Sequence, residues 1–248
     1  MRDDLGPHIR WASLVAVLMA SVPAAAQCPD RFTNLKVFPK DVSRAELEPA
    51  MRRFAFALGV RCDHCHVQSA DKTLDFAKDD KEAKRTARVM LQMVAAINRD
   101  YLDRLDKSSP IAVECVTCHR GLTQPRTLNS ILAESIQKEG LDAAIAQYRD
   151  LRGKYYGSGQ YDFGETTLNQ LAESLLAGGR PKEAVAIMEM NFASNHPDSL
   201  WAYHMLASAH EVTGEVNKAI ADYHKVLELH PDDTWARKQI EALAPAKK

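Results

Sequence analysis

Charge of one sign is what this sequence most conspicuously lacks: 32 Lys and Arg face 33 Asp and Glu, a formal net charge of −1 over 248 residues. That balance supplies no electrostatic footprint for a nucleic acid and no strongly basic face for acidic lipid. Strand alternation bounded by hairpin turns is also missing, which argues against a β-sandwich or barrel. No apolar run reaches the roughly 20 residues that a membrane-spanning helix requires. Cysteine is sparse, with only five in the chain. Hydrophobic residues, at 46%, are nonetheless ample for a core, and their spacing is almost everywhere helical.

Four of the five cysteines fall in two segments of one pattern, Cys62-Asp63-His64-Cys65-His66 and Cys115-Val116-Thr117-Cys118-His119. Each spells C-x-x-C-H, the attachment signature of a c-type haem. Two thiols three positions apart can form thioethers to the two vinyl groups of one porphyrin edge, and the next residue, His, then lies under the iron as proximal ligand. Cys62, Cys65, Cys115 and Cys118 are therefore the expected thioether residues, and His66 and His119 the expected proximal ligands. Two other readings compete. Four thiolates could close a zinc site, but zinc needs no His after either pair. A thioredoxin-like dithiol belongs at a helix start in a βαβ context, and no strand pattern flanks either segment.

Residues 1–26 read as an export signal. Arg2 and Arg10 supply positive charge, Trp11 to Ala20 is apolar, and Pro23-Ala24-Ala25-Ala26 ends in an A-x-A cleavage site, which would leave Gln27 as the first mature residue. Covalent haem is attached outside the cytoplasmic membrane, so the signal and the motifs agree on a periplasmic location. Cys28 lies just beyond the cleavage point. A lipid anchor there is the less favoured reading, because Gln27 and Ala25 hold the places of the small residue and the Leu that such a signal wants; a free or intermolecularly paired thiol is the plainer one.

The capping pair Ser43 and Glu46 marks a helix start, with Pro49 arguing for a true start nearer Leu47; the helix should run to about Leu58 and stop at Gly59. Met51, Phe54, Ala55 and Leu58 share one face. A second helix is expected from about Asp80 to Leu105, with Ala83, Ala87, Met90, Val94, Ile97 and Tyr101 in one stripe and Met93 beside it. Residues 68–79 read as a polar loop, and Lys107 to Pro110 as a turn before the second motif. A low-spin electron carrier needs a second axial ligand, normally His or Met. Between Cys28 and Thr127 the only other histidine is His64, confined between two thioethers. Methionine is then the default, and Met51, Met90 and Met93 are the three candidates.

The segments Met51 to His66 and Met93 to Gly121 resemble the haem-binding repeats of the cytochrome c subunit of photosynthetic reaction centres, in which a helix carrying an axial Met leads through a turn into C-x-x-C-H. Met51 precedes Cys62 by eleven residues and Met93 precedes Cys115 by twenty-two, spacings similar to those of that family. The resemblance covers roughly residues 33–126. It implies that Met51 serves the first haem and Met93 the second, with Met90 a packing residue or an alternative ligand. That family's subunit carries four haems and this chain two motifs, so the resemblance implies a fold and a ligand set rather than photosynthesis. Dihaem relatives with an added C-terminal domain look similar.

The C-terminal half is of another kind. Leu171-Ala172, Gly179, Ala184 and Pro197 recur as Leu206-Ala207, Gly214, Ala219 and Pro231, at offsets of 35, 35, 35 and 34 residues. That period is similar to a tetratricopeptide repeat, with Ile131 to Tyr156 a degenerate further unit and Asp233 to Leu243 a capping helix. Trp201, Tyr203, Tyr223 and Trp235 are expected between helices. His196, His204, His210, His224 and His230 are expected in surface or packing roles rather than on iron.

The reading is therefore an all-α chain: a signal peptide at 1–26, a small dihaem cytochrome c domain at 27–126, and a tetratricopeptide-like helical-hairpin array at 127–248. The expected function is electron transfer through two covalently attached haem c groups, without enzyme activity. The partner would be a redox protein or a membrane electron-transfer complex docked through the repeats. A haem enzyme or sensor, such as a dihaem peroxidase with one open iron position, is the alternative; neither motif is accompanied by an obvious distal acid/base pair.

Overall fold

The computed structural model describes residues 31–105, 111–194 and 197–244. The expected signal peptide, Cys28, the turn at 107–110 and His196 lie outside those residues. Among the described residues there are ten α-helices and one two-stranded ladder, so the all-α expectation holds. No described helix is long and apolar enough to cross a membrane. The chain divides into two compact units, residues 31–49 with Cys62–Gln92, and Ala50–Arg61 with residues 93–244.

Helix α1 spans Arg44–Leu58. Ser43 N–H donates to Glu46 Oε2 at 3.0 Å and Glu46 N–H donates back to Ser43 Oγ at 3.3 Å, so the capping box starts the helix. Pro49 does not delay that start to Leu47. It is accommodated inside the helix, where its missing N–H costs one bond. At the other end Gly59 adopts φ +65°. Its N–H donates to Phe56 O at 3.1 Å and Val60 N–H to Ala55 O at 3.0 Å, the paired bonds of a left-handed helix stop.

In the first unit, residues 68–79 are not merely a loop. Val67–Gln68 (β1) and Leu74–Asp75 (β2) pair antiparallel, Val67 opposite Asp75 and Gln68 opposite Leu74. Lys72, at φ 67°, turns the chain between them. Helix α2 then runs Glu82–Asp100, shorter at both ends than its periodicity suggests, and a single 3-10 turn covers Leu102–Arg104. Asp79 gathers Lys36, Lys84 and Arg88 at 2.7, 3.0 and 2.8 Å. Hydrogen bonds from Arg88, then Lys36, Asn34 and Lys84, hold its carboxyl far below the usual carboxylate range. A depressed carboxyl adds stability that is complete above about pH 4 and is lost as pH falls through the folded value. Thermal unfolding followed against pH should show Asp79→Asn lowering the midpoint at pH 7, the difference shrinking only in strong acid.

In the second unit, helix α3 is the single turn Cys115–His119, and six longer helices follow as hairpins. They are α4 Leu128–Lys138 with α5 Leu141–Tyr155, α6 Glu165–Ala177 with α7 Pro181–Ser194, and α8 Leu200–Thr213 with α9 Val216–Leu229. Helix α10, Thr234–Leu243, closes the array, and its N-cap Asp233 accepts from Ala236 N–H. The degenerate unit expected from Ile131 is thus a full hairpin, beginning at the Thr127 cap. Ala172, Ala184, Ala207 and Ala219, the small residues of the period, are all fully buried where helices cross. Ala207→Leu would force a larger side chain against Tyr223, Val226 and Ala236. The expected cost is about 1–3 kcal/mol of stability, measured by denaturant unfolding.

Several buried polar residues of this array are paired with one another. Asn191 Nδ2 donates to Asn169 Oδ1 at 2.9 Å, Asn169 Nδ2 to Glu165 Oε1 at 3.3 Å, and Ser199 Oγ to the same Glu165 oxygen. This network joins α6, α7 and the start of α8. His210 is buried and bonded to Asp222 at 2.6 Å; His204 is bonded to Asp233 at 2.9 Å. His224 and His230 are exposed. Tyr223 is fully buried and meets Trp235 edge-on at 5.3 Å, whereas Trp201 and Trp235 keep 37% and 44% of their surface exposed, so they pack only in part.

Candidate haem-binding motifs

Both C-x-x-C-H segments fold as one turn of helix, which is what puts residues i, i+3 and i+4 on one side of the backbone. In the first motif a 3-10 turn covers Cys62–His64, and Cys62 O accepts from Cys65 N–H at 3.3 Å and His66 N–H at 3.0 Å. In the second, Glu114 N–H donates to Thr117 Oγ1 at 3.0 Å at the start of α3. Arg120, at φ 49°, and Gly121, at φ 87°, end it in left-handed backbone. All four cysteines are unbridged; Cys62 and Cys118 are exposed, Cys65 and Cys115 half-buried. Burial pushes the Cys65 and Cys115 thiols up, the opposite of an activated redox dithiol. Among the described residues no three His, Cys, Asp or Glu side chains gather as a metal-ion site.

The two histidines are prepared differently. His119 Nδ1 lies 2.8 Å from Leu122 O, which can only accept, so Nδ1 is the donor and Nε2 the nitrogen left to ligate. A ring held this way fits a proximal iron ligand. Among the described residues His66 has no such carbonyl, and its Nδ1 is buried without a partner there. Phe76, delivered by β2, packs edge-on against the His66 ring at 4.9 Å. Burial first, then the Lys84 and Arg88 cations, push His66 down to about 4, so this ring is neutral at pH 7 with a lone pair to give. The residues present therefore fit a covalently attached haem at each motif.

The methionines are placed less decisively. Met51 on α1 and Met90 on α2 are half-buried, and Met93 is 43% exposed. Met51 and Met93 belong to the same unit as the second motif, and Met90 to the same unit as the first. Two further residues bear on the second motif. Asn98, on α2, donates from Nδ2 to Val113 O at 2.9 Å and accepts Val113 N–H on Oδ1 at 2.8 Å. Gly121 N–H donates to Ala57 O on α1 at 2.8 Å. An asparagine in the last apolar turn of α2 was the one available sequence signal for the first of these contacts; nothing local announced the second.

Comparison with known proteins agrees with the motifs. Cytochrome c-554 of Chloroflexus aurantiacus is 31% identical over 96 residues, 38% of this chain and 22% of that protein, so the chain spans about a fifth of this relative's length. Among solved structures, the first TPR of Spaghetti (RPAP3), bound to an HSP90 peptide, is 18% identical, with 47% of this chain and 86% of that one covered at a TM-score of 0.33. The second TPR domain of human RPAP3, in complex with an HSP70 peptide, is 19% identical, with 48% and 93% covered at a TM-score of 0.33. The family model described as photosynthetic reaction centre cytochrome C subunit matches residues 12–193, well over half the sequence, and the chain therefore belongs to that family.

Proposed function

We propose that this chain is an exported dihaem c-type cytochrome that transfers electrons, with its hairpin array docking the protein partner. The observation that carries the reading is that each C-x-x-C-H folds as a single helical turn with two unbridged thiols and a histidine in register. Cys62 and Cys65 would hold one haem with His66 as proximal ligand, Cys115 and Cys118 the other with His119. Haem supplies the one-electron couple; the protein supplies axial ligands and their surroundings. Met51 and Met93 are the proposed distal ligands, Met90 the alternative for either. Asn98 supports Met93, since it ties the helix bearing that methionine to the residue two before Cys115.

The module boundaries at 26 and 126 and the periplasmic location are part of the same proposal. N-terminal sequencing of the exported protein should begin at Gln27. A pyridine haemochrome assay should count two covalent haems per chain, and the visible spectrum of the native protein should show both low-spin. Met51→Ala and Met93→Ala should each turn a different iron high-spin or change its ligand. If Met90→Ala does so and Met93→Ala does not, the ligand assignment fails. A five-coordinate haem that reacts with peroxide would replace electron transfer with the enzyme reading.

A further inference from the structure

The second motif is gripped from outside at both ends. On its leading side, the Asn98 side-chain amide forms the reciprocal pair of bonds with Val113 that a neighbouring strand would form, fixing the backbone two residues before Cys115 to α2. On its trailing side, Ala57 O holds Gly121 N–H, and Gly59 lies so close that a Cβ there would stand 2.2 Å from Gly121 O. Real Cβ atoms do not approach a carbonyl oxygen that closely, so the contact requires glycine even apart from its positive φ. The next residue after Gly121 is Leu122, whose N–H bonds His119 O and whose own carbonyl accepts from His119 Nδ1. Helix α1 thus reaches the orientation of the His119 ring through two backbone steps.

We propose that Asn98 and Gly59 are positioning residues for the second haem: together they hold the His119–Leu122 hydrogen bond and so set the strength of the proximal ligand. The inference rests on the dihaem reading above. A carbonyl bonded to the distal nitrogen of a ligating imidazole raises its basicity. A more basic ligand favours ferric iron and lowers the potential. Loosening either grip therefore raises the potential of this haem alone. A purely structural role for the same contacts would lower the unfolding temperature and leave both potentials in place.

The test uses the full-length holoprotein in a spectroelectrochemical titration. The wave lost when Cys115→Ser and Cys118→Ser are combined belongs to the second haem. Asn98→Ala should move that wave upward by about tenfold in the oxidised-to-reduced ratio at fixed potential, about 59 mV for one electron, with the other wave unmoved. Asn98→Leu removes both bonds to Val113 without adding charge, so it should give a shift of the same sign and similar size. Gly59→Ala should act as Asn98→Ala does; if it does not fold, the two Asn98 variants decide. A second wave that stays in place, or two waves that move together, overturns the inference. A preparation without two covalent haems refutes the proposed function instead, before any of these variants is made.

Discussion

Lys84→Met is expected to lower stability by on the order of 3 kcal/mol, read as a fall in the urea midpoint at unchanged slope. The Lys84 ammonium is buried and donates to three successive carbonyls, Phe76 at 2.9 Å, Ala77 at 3.1 Å and Lys78 at 2.6 Å, while pairing with Asp79. Without it, three oxygens converge on an apolar side chain, and each loses a charge-assisted bond. The figure stands at the lower end of what removing one partner of a buried pair costs, because Ala77 and Lys78 are exposed and their carbonyls can reach water. Lys84→Arg should not rescue it: a planar guanidinium cannot aim its donors into so compact a cage. Since Phe76 is part of the cage and packs on His66, the first haem's spectrum should broaden with the loss of stability.

The haem at Cys62 and Cys65 is expected to titrate at the higher potential of the two, with a separation of at least tenfold in the oxidised-to-reduced ratio, about 59 mV. Two effects act in the same direction. His119 gains basicity from Leu122 O, whereas His66 Nδ1 has no acceptor among the described residues. Cationic Lys84, Arg88 and Lys81 outnumber anionic Asp75 among the charges that act on His66, and positive charge favours the ferrous state. The Cys115→Ser, Cys118→Ser form identifies the waves, and a second haem titrating above the first would reverse the order.

How legible each part was depends on whether its signal is local. The repeats could be read because each hairpin spends a small residue at a crossing and a left-handed glycine at its turn; Ala172, Ala207, Gly179 and Gly214 sit where the period puts them. The α1 boundaries were equally local, a capping box at one end and Gly59 at the other. Pro49 misled because its ring restricts the helix only at one turn, and the cap outweighs it. The Val67–Asp75 ladder escaped notice because two residues per strand carry no period. In the motifs, residue types and spacing announced thiols and histidines, and the structure places them as side chains that fit a haem. What spacing could not announce was the difference between the histidines. His119 takes its partner from the left-handed turn at Arg120 and Gly121, while His66 is shaped by Phe76, Lys84 and Arg88 from elements later in the chain.

The bond from Gly121 to Ala57 also has a meaning in time. It closes a loop that contains the whole of the first motif and α2, so it cannot form until the chain is complete to residue 121. The hairpins behind it contain mainly contacts between neighbours in sequence, and such contacts form fast. Once synthesised, the array should therefore fold fast, and the half that carries the C-x-x-C-H motifs should close more slowly. Until that closure, the second cysteine pair is free of this grip, which is the state in which a haem could be joined to it.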